Sequence, residues 1–558
     1  MSKAILAFLV LLALGVYGAA CCPSNSAARS TIHLNYEAVI EDANERFPLA
    51  VIGGARDVCV LGGGASGMAA AVFAKDANLS VVVIDSASDV GGQCNTLTFV
   101  PPAPGYPAWI DVGVQFFADT EAANAAGLGP WSIDSVEIVR RFAGNDSVAF
   151  LDFTTDATPN YALDLAAGIS YGLQPPQNQT PEFYAAYGRL QAIIASYPWI
   201  DRAEVPSPVP SELLVPFSDF IAANQLGPLV TAVFIPQLLA GGLGDFDRLT
   251  TLYALLNLSP TISRIFAVPN AGFVVNGGCQ LIYDGMRAYL GENNVLVNAQ
   301  TLYSARPVGG SGSSQTAVVG GIVKTQQGPV SLFRYSCGRI IVTYPQTLAA
   351  MLPLAPDIEE ARLFSRVDTR SYITGDLQAE VSFEAATGGS FNMLNFDFST
   401  PFGTPVLPAI TQFTRGLPYG PVQFKASSNT RLSTQMARQL IEQQLLGMPE
   451  SLLNNTEVLN VIVHNFQPHF AVDELRRAGG SYAALEALQG HRRTNYLGSL
   501  RNFPVTYTLW NAAYEMIQDI AEDFRSQHNA VVHDEASEAS LLSAAGAWSW
   551  NPLLSQQA

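Results

Sequence analysis

Residues Asp57–Asn95 read DVCVLGGGASGMAAAVFAKDANLSVVVIDSASDVGGQCN, and no other stretch constrains the fold as tightly. Val58–Leu61 is a short apolar run suited to a strand buried on both faces. Gly62, Gly64 and Gly67 follow at GxGxxG spacing. Gly62 permits a tight turn, Gly64 lets the backbone approach a pyrophosphate, and Gly67 lets a helix from Ser66 to about Ala77 pack closely on the strand. The free N–H groups of that helix's first turn face the phosphates. A second strand, Ser80–Ile84, ends at Asp85, about 20 residues on, where a carboxylate accepts hydrogen bonds from ribose hydroxyls. Strand, helix and acid agree on a unit that binds a dinucleotide.

Length and composition set the frame around this unit. At 558 residues the chain exceeds one compact core, so two or three structural units are expected. Hydrophobic residues make up 48% and charged residues 14%, a composition that excludes disorder for most of the chain. The net charge of −18, with lysine only at Lys3, Lys75, Lys324 and Lys425, repels nucleic acid and anionic membrane.

Lys3, the apolar run Ala4–Val16 and Gly18-Ala19-Ala20 before Cys21 have the layout of a cleaved secretory leader. That run is too short for a bilayer span, which needs about 20 residues. The expected location is outside the cell or in the secretory lumen, with no membrane span. Sequons at Asn78, Asn145, Asn178, Asn257 and Asn454 fit a secreted glycoprotein but occur about this often by chance. Of the six cysteines, Cys59 and Cys337 lie in apolar strand-like runs and read as core residues. No spacing matches a zinc motif or a dense disulfide framework. A pairing of Cys21 or Cys22 with another cysteine stays open.

Further along, apolar positions recur at three and four in PEFYAAYGRLQAIIASY and SELLVPFSDFIAANQLGPLV, which predicts helices. Strand and helix alternation resumes with QLIYDGMRAYLG, NVLVNAQ and GRIIVTYP, and a strand then feeds Gly498-Ser499 and a long closing helix. The divisions read as leader 1–20, lead-in 21–56, nucleotide-binding parts 57–120, 270–370 and 490–530, a helical cap or substrate unit 121–269, an α+β substrate domain 371–489, and a tail 531–558.

Four motifs in order, GGGASG with Asp85, DVGGQCNT, GRIIVTYP and TNYLGS, resemble the flavin-containing amine oxidoreductase superfamily. IDVGVQFF, EEARLFSRVDTRSYITG and LQGHRRTNYLG resemble the branch of the β-cyclopiazonate dehydrogenase-like proteins, and more loosely the FAD-dependent polyenoic fatty acid isomerases. The resemblance implies an α/β fold: a discontinuous FAD-binding Rossmann-like domain of the glutathione reductase/amine oxidase type, with a helical unit and an α+β substrate domain. The implied cofactor is FAD. Carried over by position, Gly62, Gly64, Ser66 and Gly67 hold the pyrophosphate and Asp85 the ribose. Gly91, Gly92 and Gln93 run beside the flavin, Val297 borders the adenine, and Gly498 with Ser499 closes over the far end. Relatives often carry arginine where Gln93 stands.

No cysteine follows Cys337, which removes the usual covalent attachment near the C-terminal motif and leaves only Cys94 in a flavin-side loop. FAD is therefore expected to bind without a covalent link. Two residues are catalytic candidates. Tyr496 either presents its ring or hydroxyl to the flavin or packs in the core; Gln115 either reaches the flavin face or satisfies backbone. Many amine oxidases place a lysine near the flavin; here Lys425 reads as a solvent-facing strand lysine. The expected activity is oxidation of a small, fairly apolar substrate with an acceptor left unnamed. Double-bond isomerisation of a polyenoic fatty acid and a degenerate flavoprotein without turnover stand as alternatives.

Overall fold

The structure, a computed structural model, describes residues 51–546 apart from 102–107, 153–159, 175–179, 308–315, 325–329, 383–389, 417–418 and 478. The leader with Cys21 and Cys22, the sequon Asn178, the loop 308–315 and the last twelve residues lie outside the described residues.

A seven-stranded sheet carries the nucleotide-binding unit. Val295–Leu296, Val81–Ile84, Val51–Leu61, Ser331–Val342, Ala317–Val323 and Ala299–Ala305 lie in that spatial order, and Thr494–Tyr496 pairs with Ser331–Val342. The strands up to Ser331–Val342 are parallel, and the last two neighbours are antiparallel. Alternation along Val58–Leu61 explains its continuous apolar run: Cys59 and Leu61 enter one hydrophobic cluster, Val58 and Val60 another on the opposite face. This sheet begins at Val51, inside the segment read as a lead-in.

A second seven-stranded sheet forms the substrate domain, in the order Leu453–Phe470, Val367–Val381, Val422–Ser428, Ala409–Arg415, Phe391–Asn395, Asn160–Asp164, Ile169–Leu173. The last two strands come from the segment read as a helical cap, which is thus only partly helical. Asn160–Asp164 runs parallel to Phe391–Asn395, and that long-range pairing overrides any local preference. One face of the sheet packs on helix Thr434–Leu445, with Val422, Phe424 and Ala426 against Ile441 and Leu445. Apart from strand Val148–Leu151, which pairs with Gly272–Val275, the regular elements in the rest of this segment are helices, including Pro181–Ala195 and a ten-residue π-helix, Val230–Leu239.

The closing helix does not start at Ser499: Ser499–Asn502 is a four-residue helix, and the long helix runs over Thr506–Gly546. Phe503 at φ 61° followed by Pro504 breaks the two apart. Cys59 and Cys337 do lie in the core, and all four described cysteines are in disulfides. Cys59 pairs with Cys337 and Cys94 with Cys279. Neighbouring strands bring the first pair together across 278 residues of sequence, a proximity that spacing alone cannot register. No helix among the described residues is long and apolar enough to cross a membrane.

Candidate cofactor and substrate site

The site is built first from backbone. Gly62 turns at φ 109°, and a Cβ there would stand 2.5 Å from Thr343 Oγ1. A Cβ at Gly67 would meet the Gly62 carbonyl oxygen at 1.9 Å, so helix Ala65–Asp76 sits against the strand at a separation only glycine allows. Asp85 closes the loop, its Oδ2 accepting from the Gly63 N–H and its Oδ1 from Ala87 N–H at 2.7 Å. The glycine pair docks on this turn. Gly91 N–H donates to Gly63 O at 2.8 Å, and a Cβ at Gly92 would stand 2.9 Å from Gly64 Cα.

Gly498 reaches the same place from the far end of the chain. A Cβ on it would lie 2.6 Å from Thr343 O and 3.5 Å from Ser66 Oγ, and Gln346 Nε2 secures the approach by donating to Val342 O and Leu497 O. Ser499 follows at the first position of its short helix. Val297 lies just past strand Val295–Leu296, whose Leu296 O accepts from Asp85 N–H at 2.8 Å. It borders an open groove of about 420 Å³ together with Ser88, Arg287, Asn298 and Lys324.

Gln93 and Asn95 are held by the IDVGVQFF segment: Val114 N–H donates to Gln93 O at 3.1 Å and Val112 N–H to Asn95 O at 2.9 Å. Cys94 is buried in its disulfide with Cys279, so the four described cysteines are all paired and none offers a thiol to a cofactor. Asp111 in the same segment accepts from Thr96 Oγ1 at 2.6 Å and from Cys279 N–H at 3.1 Å. Burial outweighs these bonds and pushes its carboxyl up to about 6.

Gln115 links this segment to the substrate sheet. Its Nε2 donates to Asp111 O at 3.2 Å and Gln423 Oε1 at 2.7 Å, and its Oε1 accepts from Lys425 Nζ at 2.9 Å. Carbonyl Asp111 only accepts and the ammonium only donates, so the amide orientation is fixed. Lys425 is half-buried rather than solvent-facing. It alternates with Phe424 and Ala426, which face helix Thr434–Leu445, so it lies on the opposite face. There it has no carboxylate partner among the described residues, and burial lowers its pKa to about 8. Its cross-strand neighbours are Thr374 and Gln412.

Tyr496 lies in the core. Its side chain is fully buried, its ring lies 4.9 Å from Phe364, and its hydroxyl donates to Glu360 Oε1 at 2.6 Å. Glu360 in turn accepts from Arg306 at 2.6 and 2.7 Å. Burial opposes the Glu360 charge, but Arg306 and the Tyr496 hydroxyl hold its pKa below the ordinary value. Tyr496 therefore belongs to a buried charged knot behind the sheet, the core alternative of its two readings. Lys425, Gln423 and Thr343 are the residues that sequence reasoning passed over or discounted. The Thr in GRIIVTYP was the one local signal available.

The geometry accommodates the pyrophosphate of FAD. Gly64 lies at an ordinary extended backbone angle, and a Cβ there would meet only Gly92 Cα, at 3.7 Å, so its missing side chain leaves a space that a phosphate can enter. The family of NAD(P)-binding Rossmann-like domains matches residues 60–127. An uncharacterised protein of Acanthamoeba polyphaga mimivirus, R656, is 31% identical over 82% of this chain and 92% of its own length. The FAD-dependent oxidoreductase pigF of Monascus ruber is 27% identical over 80% of this chain and 87% of its own.

This chain belongs to the FAD-dependent oxidoreductases. The oxidoreductase is also 23% identical to the β-cyclopiazonate dehydrogenase of Aspergillus oryzae, over 84% of this chain and 93% of that one. Its fold matches a fatty acid isomerase from P. acnes that produces CLA, at TM-score 0.60 and 16% identity, with 83% and 98% of the two chains covered. It also matches putrescine oxidase at TM-score 0.56 and 16% identity, with 85% and 100% covered. The cofactor of this oxidoreductase is FAD.

Proposed function

We propose that the protein is a secreted oxidoreductase that takes a hydride from a small organic substrate to non-covalently bound FAD. FAD supplies the two-electron acceptance. The Gly62–Gly67 turn and Asp85 hold its nucleotide end, and the Gln93 and Gly498 loops flank its reactive end. The single observation that carries the substrate assignment is the Lys425–Gln115–Gln423 bridge. It joins the flavin-side segment to the inner face of the substrate sheet, where a substrate is gripped between them. The substrate is fairly apolar in its body, in keeping with the cap's buried leucines and phenylalanines, and carries a polar group that meets this amide and ammonium row.

Lys425 positions that group and holds its own proton below about pH 8. The pairing of Cys94 supports the non-covalent reading. The secretory reading rests on the leader and gains support from the two disulfides, which persist in oxidising compartments. An absorbance spectrum before and after acid precipitation tests the cofactor reading. Flavin bands that pass to the supernatant support it, and colour held in the pellet contradicts the non-covalent assignment. Anaerobic bleaching of those bands by a substrate screen, with product formed in proportion, tests the hydride step.

A further inference from the structure

The structure sorts the sequons by what a sugar attached to each would meet, and the sorting has a spatial consequence. Asn78 is exposed, follows helix Ala65–Asp76 at φ 63°, and its side-chain amide has no partner among the described residues. Asn145 is exposed at the first position of the turn Asn145–Ser147, directly after helix Ser135–Ala143. Its amide is likewise unpartnered among the described residues, and a Cβ on neighbouring Gly144 would meet nothing within 4 Å. The two helix ends are adjacent. Arg141 grips Asp76 with both guanidinium nitrogens, at 2.7 and 2.8 Å, and Asp76 also accepts from the Tyr289 hydroxyl at 2.6 Å.

Asn257 is the opposite case. It is half-buried, and its amide donates to Gln237 O at the π-helix, at 3.1 Å. The sequon's other residues, Leu258 and Ser259, are buried, and the Ser259 hydroxyl sits 2.9 Å from the Tyr507 hydroxyl ahead of Pro260. A glycan there would break the amide's bond to Gln237 O and leave from a residue flanked by buried Leu258 and Ser259. Asn454 lies within a strand pair, with its amide given to Ser382 Oγ at 3.0 Å.

We propose that Asn78 and Asn145 carry N-linked glycans, side by side where helix Ser135–Ala143 packs on the nucleotide-binding domain, and that Asn257 carries none. The proposal rests on the secretory reading above. In the transfer, the asparagine amide nitrogen replaces the diphosphate at C1 of a lipid-linked N-acetylglucosamine. A C–N bond forms, the C–O bond to diphosphate breaks, one amide proton is lost and released with the leaving diphosphate, and no electrons are exchanged. The sugars cover the Lys75 and Arg141 face, so a protein partner of this acidic chain docks elsewhere.

The test uses the full chain with its own leader, expressed in a eukaryotic secretory host and collected from the medium. Deglycosylation by peptide N-glycosidase in heavy-oxygen water, followed by peptide mapping, is expected to label positions 78 and 145 and not 257. Asn78→Gln and Asn145→Gln each remove one glycan's mass while the flavin spectrum stays unchanged. Secreted protein bare at 78 and 145, or labelled at 257, overturns the proposal. A second version, with residues 1–20 replaced by a known secretory leader, separates the two claims. Labelling at 78 and 145 only in that version upholds the acceptor sites and sinks the native leader.

Discussion

The two seven-stranded sheets handle polar chemistry in opposite ways. The glycine turn of the nucleotide-binding sheet is built from backbone rather than side chains: Gly62, Gly64, Gly92 and Gly498 come together there, and Asp85 braces the loop. The substrate sheet presents side chains, with Lys425 and Gln423 bridged through Gln115 and Gln412 beside Lys425 on the same face. A backbone cradle is a matter of close approach, so its parts tolerate almost no added atom. A side-chain face is a matter of charge and hydrogen bonding, so its parts tolerate exchange of shape but not of polarity.

The contrast breaks most sharply at the glycines. Gly67→Val places atoms where the Gly62 carbonyl already stands, 1.9 Å from the first of them, and is expected to leave no soluble folded protein. Gly64→Val meets no such wall and is expected to fold with an unchanged circular dichroism spectrum but without flavin colour. Stoichiometric FAD in Gly64→Val would remove the pyrophosphate site from that turn.

Next in size is the charged knot behind the cradle. Glu360→Gln leaves the fully buried Arg306 guanidinium without its counter-charge, and is expected to cost about 3–5 kcal/mol in denaturant unfolding. A loss near that of an exposed ion pair, below about 1 kcal/mol, contradicts the knot as a structural unit.

Lys425 sharpens the comparison from the side-chain face. Its folded pKa of about 8 lies below the ordinary 10.5, so between those values the unfolded chain binds more protons and stability rises with pH. Relative to Lys425→Met, the wild type is expected to gain stability from about pH 8 to pH 10.5 and to carry the full burial penalty below it. Unfolding midpoints of the two proteins across that range read the trend, and parallel curves refute it. On activity, the methionine variant is expected to lose a rate limb near pH 8 while retaining FAD. The smallest effect belongs to Gln115→Leu, which keeps the volume but cuts the bridge. A several-fold rise in KM with the flavin spectrum preserved is expected, and an unchanged KM demotes Gln115 to a backbone brace.

The ladder from strand to glycine turn to acid was legible because every part of it falls within Asp57–Asn95 and acts through local backbone geometry. The sequence by itself determined that unit, the flavin-side glycine pair and the closing Gly498 motif. Tertiary structure alone decided the rest. Asn160–Asp164 joined the substrate sheet because a parallel neighbour 232 residues away completed its hydrogen bonds, and Ile169–Leu173 paired on its other edge. Tyr496 lies in the core because Glu360, 136 positions back, accepts its hydroxyl. Lys425 became half-buried because Gln115, 310 positions earlier, meets it. The physical reason is common to all three: a side chain's role depends on which partner desolvates it, and that partner is chosen by folding at distances over which sequence patterns carry no information.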